Sequence, residues 1–225
     1  MSDDRNLKTL VKAALYVGGT ALVGYGGYQL YKYCKNKYSR SVDEGFEDAT
    51  KLEDSYIRKI LVLGLESSGK SSLVSKLTQV KHVIKPTEGF NVTPMEVAEI
   101  VYNFWEIGGK DKVRKFWLNF LQDTDLLMYV IDSSDIHSLP ITIKELKTLV
   151  GDERLKNVPV LVIASKCDTP GALTVRDVTD AIDVKSIESY KHKVKVLGDT
   201  NPSPEVDAIE RIRQTIIALV KSPSK

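Results

Sequence analysis

Three apolar runs divide the chain beyond residue 57, and each stops at a polar or glycine-rich cluster. They are Ile60-Leu61-Val62-Leu63, Leu126 to Ile131, and Val158 to Ala164. Short runs of this kind, with little polar alternation, predict strands covered on both faces, the pattern of a parallel sheet. Ser72-Leu73-Val74-Ser75-Lys76-Leu77 reads as a helix and follows the first run after a glycine loop. Strand, loop and helix in that order predict an α/β domain: a mostly parallel sheet with helices on both faces.

A fourth pattern lies near the N-terminus, where Ala13 to Tyr31 is nineteen residues without a charge. As a helix it is about 28 Å long, close to the hydrocarbon thickness of a bilayer. Tyr16, Tyr25, Tyr28, Tyr31 and Tyr33 suit the membrane interfaces, and Lys32, Lys35, Lys37 and Arg40 follow at once. Five glycines and only five Leu or Val make the span weakly hydrophobic. A cleaved signal peptide and a surface-lying helix are the competing readings; the first lacks a small-residue cleavage site and the second a charged face. The glycines also let two spans approach closely, which leaves self-association through this segment open.

Charge sharpens the division. Residues 1–40 carry seven Lys/Arg against two Asp, and residues 41–57 carry six Asp/Glu against one Lys. The expected organisation is a flank (1–12), a transmembrane signal anchor (13–33), a basic then acidic tether (34–57), a globular domain (58–222) and a tail (223–225). Apolar residues separate the N-terminal charges, so the basic head is not a nucleic-acid-binding arm. With 225 residues, 42% hydrophobic, the chain holds one domain plus this appendage. Cys34 and Cys167 lie far apart, as do His82, His137 and His192, so neither a disulfide framework nor a zinc site is expected. Cys34 is either a palmitoylation site or an unmodified interfacial thiol.

The candidate chemistry sits in the glycine loop. Gly64-Leu65-Glu66-Ser67-Ser68-Gly69-Lys70-Ser71 is a complete G-x-x-x-x-G-K-S, and Ser72 continues it into the helix. In that context backbone N–H groups cradle phosphates, Lys70 reaches their oxygens and the Ser71 hydroxyl ligates Mg²⁺. About a hundred residues on, the third apolar run ends in Ser165-Lys166-Cys167-Asp168. The Asp168 carboxylate accepts the N1–H and exocyclic amine of guanine, whereas adenine presents no such donor pair.

Pro86-Thr87-Glu88-Gly89-Phe90-Asn91-Val92 and Trp105-Glu106-Ile107-Gly108-Gly109-Lys110, continuing to Trp117, resemble the two switch segments of the ADP-ribosylation factor (Arf) branch of Ras-like GTPases. The resemblance extends over about residues 58–222 and implies a Ras-like P-loop GTPase fold binding GTP or GDP with Mg²⁺. It implies that Thr87 joins Ser71 on the metal, that Glu106 reaches the metal through water, and that the Gly109 N–H reports the γ-phosphate. It places Ser165, Lys166, Asp168 and Gly198 around the base. It also makes Phe90, Trp105 and Phe120 an effector surface, with core packing as the alternative for these aromatics.

Three residues depart from the family pattern: Glu106 stands for Asp, Lys110 for the water-orienting Gln, and Ser165 for Asn. Lys110 offers no acceptor to a water, so with Gly109 at the catalytic position hydrolysis is expected to be slow. Ser2 excludes the N-myristoylation common in the branch. The resulting expectation is a single-pass GTP-binding switch facing the cytosol and recruiting protein effectors, on the mitochondrial outer membrane first and the endoplasmic reticulum second. A non-cycling GTP-bound module and a receptor subunit resembling the β subunit of the signal-recognition-particle receptor are the alternatives.

Overall fold

A computed structural model describes residues 57–80, 87, 89–190, 192–200 and 207–221. The expected anchor, residues 34–56 of the expected tether, and the switch residues Pro86 and Glu88 lie outside the described residues, while Ile57, expected to end the tether, instead begins a strand. Among those that are described, no helix is long and apolar enough to cross a membrane.

Six strands form one sheet in the order β2-β3-β1-β4-β5-β6: β1 Ile57–Leu63, β2 Phe90–Val97, β3 Ile100–Ile107, β4 Leu126–Asp132, β5 Val160–Ser165 and β6 Val194–Gly198. Only β2 runs antiparallel, pairing Phe90 with Ile107 and Val97 with Ile100. It lies at the sheet edge, where Pro94 is tolerated because its missing N–H leaves no central ladder bond broken. The three apolar runs become β1, β4 and β5, the centre of the sheet.

Their continuous hydrophobicity follows from two covered faces. On one face Ile60, Val62, Leu126, Met128, Val130, Leu161 and Ile163 pack with Leu73, Val74 and Leu77 of α1 (Lys70–Thr78). Ile212 and Ile216 of α6 (Ala208–Lys221), one turn apart on a single helical stripe, complete that layer. On the other face Leu61, Leu63, Leu127, Tyr129, Ile131, Val160 and Val162 meet α3 (Leu139–Val150), α4 (Val175–Ile182) and α5 (Val184–Glu188). The four-residue α2 (Asp111–Arg114) and a 3-10 turn at Trp117–Phe120 follow β3. β1, β4 and β5 run parallel, so the loops after them gather at one edge, the usual place for a ligand in such a sheet.

Candidate functional site

The glycine loop turns because two positions have no side chain. Gly64 has φ +149°, and a Cβ there would stand 2.3 Å from the Val130 carbonyl oxygen. Gly69, at φ +88°, swings the chain into α1, and Leu73 N–H bonds back to its carbonyl at 2.9 Å. Lys70, the first residue of α1, is only 5% exposed. Its ammonium donates to the carbonyls of Gly64 (2.9 Å) and Leu65 (2.7 Å). Burial lowers its pKa to about 8, against the opposing pull of the Glu106 and Glu66 carboxylates. A buried ammonium at the start of a helix is stabilised by an anion, and phosphate supplies one.

Beside it three oxygens from three segments converge. Ser71 Oγ donates to Glu106 Oε1 at 2.5 Å, and Thr87 Oγ1 donates to the same oxygen at 2.9 Å. Glu106 is the penultimate residue of β3 and is 4% exposed, and its longer side chain brings the carboxylate itself onto both hydroxyls. Two hydroxyls and one carboxylate are hard oxygen donors that fit Mg²⁺, which takes few protein ligands and fills its remaining positions with phosphate and water. Mg²⁺ bound by Ser71 and Thr87 would neutralise phosphate charge there.

The switch glycines lock the surrounding backbone together. Gly108 N–H donates to Gly89 O at 2.9 Å, and a Cβ on Gly108 would fall 2.3 Å from Thr87 O. Gly109 lies flush on the phosphate loop: its carbonyl accepts Glu66 N–H at 3.2 Å, and a Cβ would fall 2.3 Å from that nitrogen. Lys110 opens α2, with Val113 and Arg114 N–H bonded to its carbonyl, and its ammonium stands 4.0 Å from Glu66 Oε1. Residues 66–72 with Thr87, Glu106, Gly109 and Lys110 line a cavity of about 210 Å³. Arg114 braces this wall, reaching Gly109 O at 3.4 Å and Glu145 of α3 at 3.4 Å.

At the other end of the loop Ser165 is 2% exposed, its hydroxyl 2.7 Å from Ser68 O and 3.0 Å from Ile131 O. Although Ser165 stands where the family has Asn, its short side chain still reaches the loop because it sits directly under it. Replacing Ser165 with Ala leaves the Ser68 carbonyl without this partner. It is expected to destabilise the chain by about 1–2 kcal/mol, read as a lower urea midpoint at unchanged slope.

Lys166 has φ +58°, and its ammonium pairs with Asp132 Oδ2 at 2.5 Å. Burial opposes ionisation of Asp132, but hydrogen bonds from Lys166 and Ser134 outweigh it and hold the carboxyl below its ordinary range. Asp168 is exposed beyond the strand end. Gly198 is the buried last residue of β6, in register with Ala164. The residue after it, Asp199, accepts Lys166 N–H at 3.2 Å and donates its own N–H to Ala164 O at 3.1 Å. Sequence reading assigned no role to Asp199, though it directly follows the glycine that was singled out.

Phe90 stacks on Trp105 with centroids 5.8 Å apart and tilts against Phe120 at 5.6 Å. All three are half-buried, packed against the core on one side. Lys59 of β1 was not anticipated: its ammonium lies 5.2 Å over the Trp105 ring and donates to Phe120 O (2.7 Å) and Gln122 O (2.6 Å). Trp117, in contrast, is core. It is 1% exposed, edge-on to Tyr129, and its indole N–H donates to Gly108 O at 2.9 Å.

Comparison with known proteins agrees with this geometry. The chain is 36% identical over 141 residues to ADP-ribosylation factor-like protein 2 of Arabidopsis thaliana, covering 62% of this chain and 76% of that one. The solved Arl6 BBS3 small GTPase from Trypanosoma brucei, with bound nucleotide analogue GppNp, shares the fold at TM-score 0.63 and 21% identity. That match covers 75% of this chain and 97% of the other. The model of the ADP-ribosylation factor family matches residues 48–216. That stretch contains the phosphate loop, both switch segments and the base loop, and on these grounds the chain belongs to the ADP-ribosylation factor family of small GTPases.

Proposed function

We propose that this Arf-family GTPase is a permanently membrane-anchored switch with slow intrinsic hydrolysis, recruiting protein effectors at a cytosol-facing membrane. The observation that carries the slow turnover is Lys110. It lines the cavity beside Gly109, yet its side chain has three N–H donors and no acceptor with which to orient a water. The same residue favours, as a second reading, a module that stays GTP-bound. Among Arf-like proteins the chain resembles ADP-ribosylation factor-like protein 10, in joining an apolar N-terminal segment to a Glu-Ile-Gly-Gly switch.

The anchor is the uncharged stretch within 13–33, which as a helix matches the hydrocarbon thickness of a bilayer. The basic residues after the span support the mitochondrial outer membrane as the address, with the endoplasmic reticulum second. Phe90, Trp105 and Phe120, half-buried and stacked between the switch segments, form the effector surface. Membranes carrying the full chain, loaded with GDP or with a GTP analogue, are expected to keep it through an alkaline carbonate wash in both states. Release in either state would show that the segment only lies on the surface.

A further inference from the structure

The cavity has a direction. A Cβ added to Gly69 would lie 3.6 Å from the Ser165 hydroxyl, and Ser165 leads straight into Lys166 and Asp168, the base end. Glu66, Gly109 and Lys110 form the opposite rim of the same cavity. A nucleotide with its base at Asp168 therefore extends its outermost phosphate toward that rim. There the structure places an unusual pair for an anion site: the Glu66 carboxylate, on the phosphate loop itself, 4.0 Å from the Lys110 ammonium. Glu66 is held in place by its own N–H, bonded to Gly109 O at 3.2 Å. The pair thus joins the loop to the second switch segment across the mouth.

We propose that Glu66 and Lys110 together set the preference for guanosine triphosphate over diphosphate. The inference rests on the guanine-nucleotide reading of the site. Glu66 and the outermost phosphate compete for one ammonium. With both side chains present, the phosphate gains Lys110 but meets the repulsion of Glu66, and the triphosphate preference is moderate. Neutralising Glu66 removes that carboxylate's competition for the ammonium and its repulsion of the phosphate. Neutralising Lys110 leaves the carboxylate facing the phosphate unopposed. The diphosphate ends short of the rim and is little affected by either change.

The test is equilibrium displacement of a fluorescent GDP from the full-length chain in detergent micelles, by GDP and by a non-hydrolysable GTP analogue. Lys110→Gln is expected to lower the triphosphate-to-diphosphate affinity ratio about tenfold, and Glu66→Gln to raise it about threefold or more. Lys110→Arg, which keeps the charge, should hold the ratio within about twofold, and GDP affinity should stay within about twofold throughout. The two side chains are 38% (Lys110) and 49% (Glu66) exposed, so neither replacement opens a hole in the core. A ratio unmoved by both neutral variants, or GDP affinity moving in step with that of the triphosphate, overturns the pair's role while leaving guanine binding intact. A parent chain that binds no guanine nucleotide overturns both readings.

Discussion

Replacing Lys70 with alanine is expected to cripple nucleotide binding, with at least about a thirtyfold loss of affinity for GTP and GDP alike. The ammonium is buried at the first residue of α1, where it donates to two loop carbonyls. Among the loop residues 64–71 it is the one cation, and it is buried. Deleting one partner of a buried, hydrogen-bonded charge pair costs about 2–5 kcal/mol, which corresponds to roughly 30- to 5000-fold in affinity. Titration calorimetry on the parent and the variant checks this, with ATP as the control ligand. An alanine variant that binds within tenfold of the parent, or a parent that takes ATP as readily as GTP, would show that the loop or Asp168 has been misassigned.

The second large effect is a gain. Lys110→Gln is expected to accelerate single-turnover GTP hydrolysis by about ten- to a hundredfold, equivalent to roughly 1.4–2.7 kcal/mol of barrier. In phosphoryl transfer the protein contributes mainly by positioning the nucleophile and stabilising charge, and an amide restores an acceptor where the ammonium has none. The backbone at this position needs no change, since Lys110 already opens α2 with its carbonyl bonded to Val113 and Arg114 N–H. Quenched-flow measurement of phosphate release distinguishes the cases. Brisk hydrolysis by the parent chain that persists in Lys110→Ala would mean that another group positions the water.

The contrast between what was legible in the sequence and what was not has a physical cause. β1, β4 and β5 were visible because strands covered on both faces need unbroken apolar runs, and the phosphate loop was visible because its glycines and Lys70 are neighbours in sequence. Contacts made across the fold leave no such trace. Ser165 meets Ser68 over 97 residues, Lys59 reaches Phe120 over 61, and Lys166 meets Asp199 over 33. None of these pairs has a spacing or periodicity to read. Glu106 shows the same limit on a smaller scale. Its residue type announced a longer side chain, but only the register of β3 beside the loop reveals that its carboxylate lands on the hydroxyls of both Ser71 and Thr87.

The placement of the indoles has a practical use. The chain contains two tryptophans, and both are attached to the nucleotide-responsive backbone: Trp105 stacks on Phe90, and Trp117 donates to Gly108 O. Their surroundings differ, since Trp117 is sealed in the core whereas Trp105 is half-buried beside the Lys59 ammonium. Tryptophan fluorescence, selected by excitation beyond the tyrosine band, is therefore confined to the switch region, one emitter shielded from water and the other half-buried. Tryptophan emission thus offers an optical readout of nucleotide loading, without a dye attached to the switch region.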